Sequence, residues 1–119
     1  MALPLAVLIS GSGSNLQSII DAIEDGRLDA EIRIVISNVA EAYGIERARK
    51  YGLFCKVMRH MDFSSRDDYD RVLADEIRAA GAETVVLAGF MRILSAGFIE
   101  AFRNRILNIH PAILPSFAG

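Results

Sequence analysis

Five short apolar runs alternate along this chain with longer amphipathic stretches, and that alternation leaves few folds open. Leu5 to Ile9, Ile32 to Ile36, Phe54 to Met58, Thr84 to Ala88 and Arg105 to Ile109 read as strands. The first and fourth are almost continuously apolar, as expected of strands covered on both faces. Between the strands the apolar period lengthens to that of helices. Leu16, Ile19, Ile20 and Ile23 share one face, opened by an S-x-x-Q capping box at Ser14 and Gln17 and stopped near Gly26. Tyr43 to Tyr51 reads as a short helix ended by Gly52. Ser64 or Ser65 opens a longer one, with Asp67 and Asp68 in its first turn, where negative charge suits the helix dipole. Its apolar stripe is Tyr69, Val72, Leu73, Ile77 and Ala80, and Gly81 closes it. Ser95 caps a last short helix carrying Phe98, Ile99 and Phe102. Strands alternating with helices imply a parallel sheet with right-handed crossovers. The expected fold is α/β: a Rossmann-like, open, mainly parallel sheet with helices on both faces. The first strand is central, and the order reverses between the first and fourth.

Size and charge narrow the function classes. A chain of 119 residues supports one core, so residues 1–119 read as a single domain. With 52% hydrophobic and 24% charged residues it is a folding sequence rather than a disordered one. A net charge of -2 with interspersed signs provides no footprint for nucleic acid or an anionic membrane, which leaves small molecules as the expected partners. Nothing approaches transmembrane length, and the apolar start lacks a basic flank, so it reads as a strand rather than a signal peptide. Cys55 is the single cysteine, which excludes an internal disulfide and suits a reducing, cytoplasmic compartment. Its apolar neighbours Leu53, Phe54 and Val57 make it a small buried hydrophobe in this reading.

The chemistry concentrates at the carboxyl ends of the strands. In an open α/β sheet, ligands bind at that edge where the strand order reverses. Three segments should meet there: the loop after the first strand, the loop after the fourth, and the end of the fifth. The first, Ser10-Gly-Ser-Gly-Ser-Asn15, opens a helix with glycines that admit close backbone approach and with free N–H groups that favour an anion such as phosphate. Ser14 and Asn15 add side-chain donors. The dinucleotide fingerprint fails, because Leu16 stands at the third glycine position and Ser37-Asn38 replaces the ribose-binding acid. A purely structural turn is the alternative.

At the last of the three segments, alternation puts Asn108 and His110 on one strand face, and Pro111 keeps His110 extended. An imidazole can pass a proton, and an amide can donate to a developing oxyanion. The same spacing suits a core histidine with an Asn closing the strand. No metal-ligand set is present: His60 is distant in sequence and sits in a polar loop. In the loop after the fourth strand, Arg92 interrupts Phe90, Met91, Ile93 and Leu94. Such a loop suits a flat heterocycle, with Arg92 meeting an anion. Alternatively Arg92 packs its stem and points to water. Arg66 reads as a surface charge.

These segments together resemble glycinamide ribonucleotide formyltransferases, folate-dependent enzymes of purine biosynthesis. The matching stretches are Leu8-Ile-Ser-Gly-Ser-Gly-Ser-Asn-Leu-Gln17, Ser65-Arg-Asp-Asp-Tyr-Asp70, Val86-Leu-Ala-Gly-Phe-Met-Arg-Ile-Leu-Ser95 and Leu107-Asn-Ile-His-Pro111 running into Leu114-Pro115. The resemblance implies transfer of a formyl group from 10-formyltetrahydrofolate, as cosubstrate, to the amine of the ribonucleotide, without a metal. It implies that Gly13, Ser14 and Asn15 bind the substrate phosphate. It makes Arg66, Met91, Arg92, Ile93 and Leu94 folate-binding and Asn108 and His110 catalytic. Family members are longer, so the resemblance also places beyond Gly119 an aspartate that supports His110, further strands and more of both pockets. Ala118 stands where the family usually has Pro. The expectation is therefore a phosphate loop retained and little turnover by this chain alone, with an unpaired sheet edge that favours self-association, as in a homo-oligomer.

Two other functions fit the same motifs. One is a 10-formyltetrahydrofolate deformylase, which shares the Asn-x-His pattern but would carry an extra regulatory domain ahead of the first strand. The other is a non-catalytic fragment that binds the ribonucleotide phosphate. A formyltransferase acting on methionyl-transfer-RNA fits less well, because the charge balance provides no nucleic-acid surface.

Overall fold

A computed structural model describes residues 2–109. His110 and Pro111, and with them the expected pairing of His110 with Asn108, lie outside the described residues. The elements follow in the order β1 (Leu3–Ile9), α1 (Ser14–Glu24), β2 (Ala30–Ser37), α2 (Tyr43–Lys50), β3 (Cys55–Val57), α3 (Arg66–Ala79), β4 (Thr84–Ala88), α4 (Ala96–Ala101) and β5 (Ile106–Ile109). A single 3-10 turn, His60–Asp62, precedes α3. The five strands form one sheet in the order β3-β2-β1-β4-β5, and every pairing is parallel. The Rossmann-like arrangement and the central first strand are as expected. Among the described residues, no helix is long and apolar enough to cross a membrane.

The continuous apolar strands are explained by two cores, one on each sheet face. Leu5, Val7 and Ile9 of β1 pack with Leu16, Ile19 and Ile20 of α1 and Ala48 of α2. Ala6 and Leu8, which alternate with them, pack with Tyr69, Leu73 and Ile77 of α3, Phe98 of α4 and Phe102 just after it. Each large side chain so buried contributes roughly 1.5–3 kcal/mol, which is why β1 has no polar position until Ser10.

β2 departs from simple alternation. Leu5 pairs with Ile32 but Ala6 pairs with Ile34, so Arg33 is an extra residue in the strand. The bulge flips the phase: Ile32 and Val35 join the α1–α2 core, while Ile34 and Ile36 join the other. Arg33 points outward and its Nε–H donates to the carbonyl of Ala80 at 2.9 Å, covering the end of α3.

Local signals set several boundaries. Ser65 is the residue that caps α3, its hydroxyl accepting the Asp68 N–H at 3.1 Å. Ser95 caps α4 in the same way through Phe98 N–H. Phe98 and Phe102 are buried there, whereas Ile99 faces outward. The expected capping box of α1 is absent. Gly13 is the N-cap, with φ of 78°, and Ser14 falls one residue inside the helix. Gln17 instead donates to Asp21 and to the Tyr51 hydroxyl. Cys55 is half-buried at the edge of the sheet rather than fully enclosed, and burial pushes its thiol pKa up.

Candidate active site at the carboxyl edge of the sheet

The parallel order brings the ends of β1, β4 and β5 side by side. After β1 the chain runs through Ser10–Ser12 and turns at Gly13 into α1. A Cβ on Gly13 would stand 2.6 Å from the Cα of Gly44, so both its positive φ and this close approach require glycine. The N-cap Gly13 has no side chain to offer, and the first turn of α1 holds no acid. Among the described residues, the one side-chain contact to these amides is the neutral Ser12 hydroxyl, 3.4 Å from the Ser14 N–H. The amide positions at the start of α1 thus keep the positive end of the helix dipole free of protein charge. A small cleft of about 70 Å³ lies here, lined by Gly11 to Asn15 together with Ala88 and Gly89.

Asn15 links this turn to the last strand. Its Nδ2 donates to the carbonyl of Ile109 at 3.3 Å, reaching past the end of β4. Asn108 pairs with Leu87 in the β4–β5 ladder and its side chain is exposed. Ile106 packs on the α3–α4 face and Ile109 on the α1–α2 face, so alternation puts Asn108 on the α3–α4 side. Asn15 and Asn108 therefore flank the end of β5 from opposite faces of the sheet.

The loop after β4 is held at three points. Gly89 turns it with φ of 79°. The Met91 N–H donates to the Ser10 hydroxyl at 2.7 Å, and that hydroxyl donates in turn to Asn38 Oδ1. The third point is Arg92, and here both readings from the sequence need correction. Its guanidinium neither points to water nor stands free to meet an outside anion. Arg92 Nη2 lies 3.0 Å from Asp70 Oδ1, with side-chain exposures of 12% and 2%. The same nitrogen donates to the Arg66 carbonyl at 3.4 Å, and the guanidinium lies 3.9 Å from the centre of the Tyr69 ring. The second Asp70 oxygen accepts the Ser95 N–H at 2.6 Å. Tyr69 completes the cluster by donating its hydroxyl to the Met58 carbonyl, and burial pushes its pKa up to about 12.

Between these anchors the loop shows Met91 and Ile93 to solvent, at 79% and 73% exposure, while Phe90 and Leu94 pack on the core. Two large apolar side chains beside a backbone fixed at both ends form a surface suited to a flat, partly apolar ligand. Arg66 is exposed at the start of α3, next to this loop. Among the described residues no group of three or more His, Cys, Asp or Glu side chains is placed to hold a metal.

Sequence reasoning missed Asp70, Ser10, Asn38 and Arg47. Asp70 had a signal: it shares the helical stripe of Leu73, Ala74 and Ile77, all buried, so a carboxylate there needed a partner. Ser10 and Asn38 had a fainter one, as polar residues where two apolar strands end. Arg47 had none. Its Nε–H donates to the Ser12 carbonyl at 2.8 Å and its Nη1 to Gln17 Oε1 at 3.1 Å.

The chain matches the formyl transferase family over residues 3–119. It is 49% identical over 115 residues to phosphoribosylglycinamide formyltransferase of Escherichia coli strain K12, covering 97% of this chain and 54% of that protein. It is 52% identical over 117 residues to the trifunctional purine biosynthetic protein adenosine-3 of Drosophila pseudoobscura pseudoobscura, covering 97% of this chain and 9% of that protein. It thus spans about half the length of the bacterial relative. Among solved structures, glycinamide ribonucleotide transformylase 1 from Symbiobacterium toebii superimposes with a TM-score of 0.89 at 46% identity, over 99% of this chain and 56% of that one. The phosphoribosylglycinamide formyltransferase of Coxiella burnetii also superimposes with a TM-score of 0.89, at 45% identity over 100% and 56% of the two chains. A parallel sheet with its loops gathered at one edge, matched over almost its whole length in sequence and in space, makes this chain a member of the formyl transferase family.

Proposed function

We propose that this chain forms the phosphate-binding and folate-facing part of a phosphoribosylglycinamide formyltransferase, which moves a formyl group from 10-formyltetrahydrofolate to the amine of glycinamide ribonucleotide in purine biosynthesis. The observation that carries the reading is the bond from Asn15 to the Ile109 carbonyl, which joins a helix start suited to phosphate to the strand end bearing Asn108. The names of the matched relatives support the same substrate. In this reading the partners are small molecules and the site of action is the cytoplasm.

The ribonucleotide phosphate sits at Gly13, Ser14 and Asn15, whose amides and side-chain donors meet its charge. The main chain from Met91 to Leu94, with the exposed Met91 and Ile93 side chains, receives the heterocycle of the formyl donor, and Arg66 lies toward the same ligand. Arg92 acts through the position of its loop, because its side chain is committed to Asp70. The substrate amine attacks the formyl carbon, a C–N bond forms, and charge builds on the formyl oxygen. The Asn108 amide and a protonated His110 stabilise that charge. The attacking nitrogen sheds one proton to water as the adduct collapses, and the bond to the folate nitrogen breaks as that nitrogen takes a proton from His110. Water returns a proton to His110, so that one proton in total moves from the amine to the folate nitrogen.

Calorimetry tests the phosphate part: the ribonucleotide should bind at least roughly tenfold more tightly than its dephosphorylated riboside. Equal binding would remove the assignment of the α1 turn. Incubating the protein with the formyl donor and no amine should release no formate; release would favour a hydrolase.

A further inference from the structure

The turn between β1 and α1 is tied back to α2 at two consecutive carbonyls. Gly44 N–H donates to the Gly11 carbonyl at 3.0 Å, and Arg47 Nε–H donates to the Ser12 carbonyl at 2.8 Å. A trans peptide directs its C=O and its following N–H to opposite sides. There are no cis peptides among the described residues. With the Gly11 and Ser12 carbonyls drawn toward α2, the N–H groups of Ser12 and Gly13 must face away from it. The cleft closed by Ala88 and Gly89 has no residue of α2 in its lining, so these amides turn toward it rather than toward the helix. The direction of two amides in the proposed anion site is thus set from a neighbouring helix.

Arg47 is built for this task. It is half-buried, its guanidinium lies 5.0 Å from the centre of the Tyr43 ring, and its other branch is held by Gln17 Oε1. Gly44 lets α2 come close enough: a Cβ there would stand 2.5 Å from Ile9 Cδ1 and 3.1 Å from Gly13 Cα. The Arg47 side chain contacts the loop through a carbonyl and does not line the cleft, so it acts through the loop rather than on a ligand.

We propose that Arg47 is a positioning residue for phosphate recognition: by holding the Ser12 carbonyl against α2 it turns the Gly13 amide into the anion cleft. The inference rests on the phosphate assignment made above. Its consequence is selective. Loss of Arg47 weakens binding of the phosphate group without altering the loop at Met91–Leu94, which is anchored on Asp70 and Ser10 instead.

The test is a titration of the 119-residue chain with inorganic phosphate, followed by the amide resonances of Ser12, Gly13 and Ser14. In the wild type these amides should shift saturably. Arg47→Met should weaken phosphate by roughly tenfold, the scale of one charge-assisted hydrogen bond. Arg47→Lys keeps the charge but lacks the fork that spans Ser12 and Gln17, so it should also lose several-fold. Unchanged unfolding midpoints in the lysine variant would show that the loop, not the fold, had been altered. Full retention of phosphate affinity by Arg47→Lys overturns the positioning role and leaves a simple charge effect. Full retention by both variants overturns any role. A wild type whose Ser12–Ser14 amides ignore phosphate overturns the phosphate assignment itself, and the inference with it.

Discussion

Replacing Asp70 by Asn isolates the contact that holds the β4–α4 loop. The Asp70 carboxylate is 2% exposed and serves two donors, Arg92 Nη2 at 3.0 Å and Ser95 N–H at 2.6 Å. A carboxylate offers two acceptor oxygens, whereas an amide offers one oxygen and one donor group. In either orientation the side-chain amide of the Asp70→Asn variant would therefore present N–H to a buried N–H. The substitution also removes the counter-charge from a guanidinium only 12% exposed. Breaking a buried pair from one side costs about 3–5 kcal/mol. The remaining amide oxygen and the Tyr69 ring offset part of that, so the expected loss is about 3 kcal/mol. Domains of this size are stable by roughly 5–15 kcal/mol, so the variant should fold with a melting temperature lower by about 10 °C. Denaturant unfolding followed by circular dichroism would measure the loss. Hydrogen exchange should locate it at Met91–Leu94. Arg92→Met in the Asp70→Asn background should recover part of the loss, because the orphaned charge is gone. A loss below about 1 kcal/mol for Asp70→Asn, or additive effects of the two substitutions, would refute the view that this ion pair anchors the loop.

Gly44→Ala should lower stability by about 1–3 kcal/mol, read as a melting temperature, because its Cβ would meet Ile9 Cδ1 at 2.5 Å. Ser10→Ala should cost about 1–3 kcal/mol and speed exchange of the Met91 amide, since it removes the acceptor of that N–H and the donor to Asn38. Tyr69 is raised from its ordinary 10 to about 12 in the folded state, so its contribution is intact below pH 10 and is lost as pH rises to about 12. Over that window unfolding free energy should fall by at most about 1.4 kcal/mol per pH unit on this account, and Tyr69→Phe should abolish that component.

The sheet was legible because its central strands are buried on both faces. Nothing but apolar residues suits β1 from Leu5 to Ile9, and β4 is read to the residue for the same reason. The order of the strands, and so the meeting of three loops at one edge, follows from parallel connection rules rather than from any single motif. What escaped was set by contacts distant in sequence or made by backbone. Arg33 carries no local mark of a bulge, since the phase change appears only against β1. Ser14 looks like a cap, but Gly13 makes the turn with its own positive φ and displaces it. Arg92 reads as exposed because its partner lies 22 positions earlier, on another element. Asp70 and Arg92 could be matched only by noticing two charges in buried positions and asking what neutralises each. Arg47 could not be found at all, because its acceptor is a main-chain carbonyl.

The bond between Asn15 and Ile109 also bears on when the site comes into being. Its partners are 94 positions apart, and the strand between them in space, β4, is itself made late in the chain. During synthesis, the first turn waits while four of the five strands emerge. Closing so long a loop costs entropy that only the completed sheet repays. The link between the first turn and the strand end is thus among the last contacts to form. A nascent chain halted before Ile106 would have the residues of the small cleft but not the strand end that Asn15 holds and that bears Asn108.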